Sequence, residues 1–155
     1  MPIFNTLQED TDIQDLIKTT FDADLPISGG WGYSQESASS IESLPQDMPL
    51  PQLEHMITSI RAHLEMNITQ TEENRYGGIN ANEKSREVAR GKDGIFDIVT
   101  YEITAMKEDL YTSFIKEYKE GYGKEAFDLN KHFKRRKEAT LIREVTHYFE
   151  VSKIQ

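Results

Sequence analysis

The sequence predicts an α+β fold: a single domain over residues 1–155 with a small, mostly antiparallel sheet packed against three to four helices. Three observations lead there. Apolar residues recur at helical spacing in KEDLYTSFIKEYKEG, with Leu110, Tyr111, Phe114, Ile115 and Tyr118 on one stripe. The runs IFDIVTYEITAM (95–106) and TLIREVTHYFEVSK (140–153) are rich in β-branched and aromatic residues, as strands are. Helical and strand patterns do not alternate regularly, so a doubly wound parallel sheet is not expected.

In chain order, a first helix has two possible starts. One is at Asn5 or Thr6, with Glu9 completing a capping box; the other is at Thr11, with Gln14. Ile13, Leu16, Ile17 and Phe21 then share a face, and Pro26 lies beyond the end. Residues 24–52 hold four of the five prolines and three glycines, with many serines, yet they also carry Leu25, Ile27, Trp31, Tyr33 and Ile41. A disordered linker is poorer in large apolar groups, so an ordered but irregular segment is expected, loosening near 42–50. A second helix follows, with Pro51 in its first turn and Leu53, Met56, Ile57, Ile60 and Leu64 on its stripe.

MNITQT (66–71) reads as a short strand, and the polar, glycine-containing stretch 72–94 as a long loop, a length that points to function. Residues 95–105 are too apolar on both faces for an edge and read as a central strand. A helix from about 107 to 120 comes next, with Glu108 and Asp109 in its first turn and Gly121 as its cap. A further helix places Ala126, Leu129, Asn130 and Phe133 on one side. In the final strand Leu141, Val145, His147, Phe149 and Val151 face one way, with Arg143.

Composition excludes several classes. With no cysteine there is no disulfide, no thiolate zinc ligand and no thiol nucleophile. No stretch approaches the roughly 18 apolar residues of a membrane span, and the first residues lack the pattern of a signal peptide. A cytoplasmic protein without membrane attachment is the expectation. Residues 1–70 carry a net charge of −9, the charge of the whole chain, so residues 71–155 balance to zero. The acidic half repels nucleic acid, leaving a protein partner or self-association as the expected interaction.

SGGWGY (28–33) contains the single tryptophan. It lacks the lysine of a phosphate loop and the glycine spacing of a dinucleotide fingerprint. Trp31 either plugs the core or is presented as an interaction anchor. RYGGIN (75–80) and EGYGKE (120–125) repeat the composition, which nominates Trp31, Tyr33, Tyr76 and Tyr122 as walls of one binding surface.

The four histidines have no chelating spacing, no Gly-x-Ser-x-Gly elbow occurs, and nothing calls for a metal or cofactor. Asp97 and Glu102 are the carboxylates most open to burial, with Arg143 or a lysine as the expected partner. KHFKRRK (131–137) is the one dense basic run, where Lys134, Arg135 and Arg136 are candidates for gripping phosphate. The leading expectation is a non-catalytic protein-binding or regulatory module using 28–33 and 72–94. The alternatives are a small-ligand protein or enzyme with a Tyr/Gly-lined pocket, and phosphate or nucleic-acid binding through 131–137.

Overall fold

The computed structural model describes residues 2–154. Asp12 caps the first helix, α1 (Ile13–Phe21): its carboxylate accepts the Asp15 N–H, and the helix buries Ile13 and Ile17. The segment after it is ordered and extends the sheet. Strands β1 (Ile27–Gly29) and β2 (Ser39–Ile41) pair antiparallel, and Ile27, Trp31 and Ile41 are buried.

Helix α2 (Leu50–His63) has Pro51 in its first turn and runs directly into a π-helical turn, Leu64–Ile68, closed by the Thr69 N–H donating to the Leu64 carbonyl at 3.1 Å. The strand expected at 66–71 is therefore absent. The wider turn points Leu64, Glu65 and Met66 inward together, which an extended chain with alternating side chains cannot do.

The expected loop 72–94 is corrected more fully. After a 3₁₀ turn at Glu72–Asn74, the chain forms strand β3 (Tyr76–Gly91), which turns through Lys92 and Asp93 into β4 (Gly94–Lys107). Two register shifts, between Gly77 and Asn80 and between Glu83 and Ser85, break the period-two pattern that would have announced a strand. The charges that suggested a loop lie on an edge strand, where charge discourages stray pairing.

β4 is central, between β3 and the last strand, β5 (Leu141–Glu150), and antiparallel to both. β5 also pairs parallel with β2, giving a mixed sheet in the order β1–β2–β5–β4–β3. Asp97, Val99, Tyr101, Ile103 and Ala105 of β4 are buried on one face, and β5 adds His147 and Phe149 to that face. Helix α2 covers it, as shown by the bond between Thr58 and His147.

Helices α3 (Glu108–Gly121) and α4 (Leu129–Ala139) connect β4 to β5 and pack on each other. Of the stripe read on α3, Phe114 is buried while Leu110 is 41% exposed. α4 buries His132, and it leaves Leu129 and Phe133 at the surface. Among the described residues no helix is long and apolar enough to cross a membrane.

Candidate functional site

The glycine–tryptophan segment turns inward. Trp31 has no exposed surface. Its backbone N–H donates to the Glu9 carboxylate at 3.0 Å, and its carbonyl accepts from Arg61 Nη1 at 3.1 Å. The indole Nε1 is buried without an acceptor among the described residues, a deficit worth about 1–3 kcal/mol. Gly32 is needed for two reasons: its φ is +81°, and a Cβ there would run into the His147 ring. Trp31 is therefore a core plug and cannot serve as an exposed anchor.

Tyr33 is half-buried beside it. Its hydroxyl donates to Glu65 Oε2 at 2.5 Å and accepts the Leu7 N–H, while the Arg61 guanidinium lies 4.6 Å from its ring centre. Burial and the Glu65 carboxylate push the Tyr33 hydroxyl well above its ordinary pKa. Arg143 donates to Glu65 Oε1 at 3.0 Å and lies over the Phe4 ring, and Phe4 meets Tyr76 edge to face. Trp31, Tyr33 and Tyr76 thus belong to one continuous, mostly buried assembly. Tyr122 is 67% exposed on α3's far end and takes no part in it.

Sequence reasoning missed the groups that dominate the interior. Glu54, Thr58, Arg61 and Glu65 are all buried, each one position after Leu53, Ile57, Ile60 and Leu64. The 4-3-4 spacing of this polar stripe was the available signal, because it runs parallel to the apolar one. Glu54 Oε1 accepts from Arg86 Nη1 at 3.1 Å, and Asp97 lies 3.8 Å from the same nitrogen. Burial, with Asp97 alongside, raises the Glu54 pKa to about 9. Glu54 Oε2 is buried without a partner among the described residues. Asp97 is indeed buried, but its cation is Arg86; Glu102 pairs with Lys84 at 3.5 Å. Glu102 thus has a lysine as its partner, one of the two expected for these carboxylates, while Arg143, the other, is bound to Glu65.

His147 is closed off equally. Ser39 donates to the Gly30 carbonyl at 2.8 Å and so accepts from His147 Nε2 at 2.9 Å, leaving Nδ1 to accept from Thr58 at 3.0 Å. Complete burial and nearby Arg61 hold its pKa well below the ordinary value, so the ring is neutral. The Ser39–His147 contact resembles half of a hydrolytic triad, but both groups are at 0% exposure and a substrate cannot touch them.

The α3–α4 pair presents the opposite character. His132 donates from Nδ1 to Glu117 at 3.0 Å and sits among Phe114, Tyr118, Phe127 and Phe133, with ring centres 5.3–5.8 Å away. From this small core, rings step outward to the surface. Tyr118 lies 5.4 Å from Tyr122 and 6.0 Å from Phe133, and Phe133 is 46% exposed. Leu129, one turn before Phe133, is 41% exposed on the same face.

The three basic candidates diverge round α4. Arg135 turns to Glu117 at 3.0 Å and over Phe114, and Arg136 lies 5.6 Å from the Phe133 ring centre. Lys131, Lys134 and Lys137 are exposed and have no ion partner among the described residues. Among those residues no group of three or more His, Asp or Glu side chains is arranged to hold a metal ion. The chain matches no protein-family model, and no curated protein or solved structure is significantly similar to it.

Proposed function

We propose that this chain is a non-catalytic protein-binding module of the cytoplasm, and that α3 and α4 carry its binding face. One observation supports the reading above others: Tyr122, Tyr118, Phe133 and Leu129 form a continuous, partly exposed aromatic and aliphatic patch rimmed by cations. Isolated surface apolar groups need no explanation, whereas contiguous ones rimmed by polar groups mark contact sites. Tyrosine is a preferred interface anchor because it delivers a large area from few rotatable bonds. On α4, Leu129 and Phe133 are followed on the same face by Arg136 and Lys137, so apolar anchors precede positive charge.

The complementary partner is an acidic protein segment with one or two apolar residues. The apolar groups would cover Phe133 and Tyr122, and the carboxylates would meet Lys134, Arg136 and Lys137. Oppositely charged partners of this kind associate faster and lose affinity as salt screens the attraction.

A displayed library of random 16-residue peptides tests this. The expected outcome is enrichment of acidic sequences containing aromatic or aliphatic residues. Their affinity should fall at least tenfold, about 1.4 kcal/mol, on Phe133→Ala and on the double change Lys134→Glu, Lys137→Glu. Enrichment of basic or neutral peptides would overturn the proposal, as would affinities untouched by these changes. Tighter binding of a single-stranded oligonucleotide than of any acidic peptide would overturn it in favour of nucleic acid.

A further inference from the structure

Where the end of the sheet meets α3 and α4, the register of β3 and the chemistry of α4 combine in a small polar cleft. Asn80 pairs with Thr104 and Gly77 with Met106, so Gly78 and Ile79 together oppose the single residue Ala105. Such a bulge bends the edge strand, and bulges recur beside functional sites because they re-aim side chains. Gly78 takes φ +58°, and a Cβ there would come within 2.7 Å of the Tyr111 ring, so glycine lets α3 lay this ring on the bulge. Gly78, Asn80, Thr104 and Tyr111 line the cleft from β3, β4 and α3, and Arg136 and Thr140 line it from the end of α4. It measures about 220 Å³. That is below the range of about 300–1,000 Å³ typical of sites for whole small molecules, and it suits a single functional group.

Arg136 is the group that the fold leaves unused. Arg61, Arg75, Arg86 and Arg143 are, like it, wholly or partly buried, and each donates to a carbonyl or a carboxylate. Arg136 has no acceptor for its N–H groups among the described residues, and its guanidinium lies beside the Phe133 ring, 5.6 Å from its centre. A guanidinium presents five donors in a planar fork that matches a carboxylate or a phosphate. None of the residues lining the cleft is acidic. The Thr104 and Tyr111 hydroxyls add neutral donors, as does the Asn80 amide, which gives one N–H to the Gly78 carbonyl at 3.2 Å. A cation without an anion, set among neutral donors, is complementary to an oxyanion. Turning to one would cost Arg136 no existing hydrogen bond.

We propose that this cleft is an oxyanion site, which takes one carboxylate or phosphate group on the Arg136 fork. In one respect it rests on the reading of α3 and α4 as a protein-binding face. Arg136 borders Phe133, so a partner segment would place an acidic or phosphorylated side chain here while its apolar residues cover that ring.

The full chain, ¹⁵N-labelled, is titrated at low salt with inorganic phosphate and with N-acetylglutamic acid α-amide, which carries a single side-chain carboxylate. N-acetylglutamine amide is the neutral counterpart. The backbone amides of Gly78, Ile79 and Asn80 and the Arg136 Nε–H resonance should move saturably with at least one anion, with an apparent dissociation constant below about 10 mM, and should ignore the neutral probe. Arg136→Gln should weaken binding at least about fivefold with the melting temperature held, whereas Lys137→Gln, which removes the same charge one residue away, should change it less than about twofold. Tighter binding of phosphate assigns the site to a phosphorylated ligand, and tighter binding of the carboxylate assigns it to acidic side chains. No saturable movement, equal binding of the neutral probe, or an equal loss on Lys137→Gln would overturn the site. Free anions test it apart from the partner. A cleft that binds them while no acidic peptide is enriched stands without that reading, and the reverse outcome leaves the α3–α4 face without this site.

Discussion

Replacing Glu54 by glutamine should stabilise the protein at alkaline pH and leave it nearly unchanged at acid pH. In the folded chain Glu54 keeps its proton up to about 9, against 4.5 for the free carboxyl. Between these values the folded state holds a proton that the unfolded state has released. Stability therefore falls as pH rises through this window, by at most about 1.4 kcal/mol per pH unit for one proton. Below the lower value the penalty is absent, and above the upper one it is constant.

From pH 5 to 8 the ceiling is about 4 kcal/mol, so about 2–4 kcal/mol is expected. The glutamine amide has no such penalty at any pH. Its oxygen can keep the bond from Arg86. Urea unfolding of both proteins at pH 5, 6, 7 and 8 measures the effect, and other titrating groups cancel in the difference between the curves. The gap should widen steadily with pH. Curves that stay parallel within about 0.5 kcal/mol would refute the reasoning, because Glu54 would then ionise freely in the folded state.

Other outcomes follow from the same interior. Trp31→Ala should cost roughly 3–5 kcal/mol in urea unfolding, and the wild-type emission should be blue-shifted and resistant to iodide, since the ring has no exposed surface. Gly32→Ala meets both a left-handed backbone and the His147 ring, so a loss of about 3 kcal/mol or more is expected by the same measurement. His147 should keep its neutral ring signals by NMR as the pH falls well below 6.5. Its depressed pKa means that the unfolded state takes up the proton, so its contribution to stability is lost as pH falls below about 6.5.

What could be read in the sequence followed from regular periodicity. The central strand at 95–105 and the helix after it are recovered because the run is β-rich and apolar on both faces and the α3 stripe starts where it stops. β3 was hidden because two register shifts spoil the alternation and because its charges mimic a loop. The strand assigned to 66–71 failed because a π-helical turn produces neither helical nor strand spacing over five residues. On α4, hydrophobicity misled outright. The apolar side that carries Leu129 and Phe133 lies at the surface, whereas the buried residue is His132, whose neighbours are four aromatic rings from α3, α4 and the turn between them.

The polar interior also bears on which surface is available for binding. Three assemblies share the space between α2 and the sheet: Glu54–Arg86–Asp97, Ser39–His147–Thr58, and Tyr33–Glu65–Arg143 with Arg61. Each joins α2 or the irregular segment to a strand, and a one-residue slip of β3 or β5 would leave a buried charge or ring nitrogen without its partner. Their directional bonds fix register in a sheet whose edge strand carries two bulges, where apolar packing alone discriminates poorly. A catalytic group must touch its substrate, and His147, Glu54 and Glu65 are each at most 2% exposed, so their perturbed environments are better accounted for by specifying the fold than by chemistry. This leaves the outward aromatic rings of α3 and α4 and the unpaired lysines of α4 as the surface whose composition fold stability does not explain.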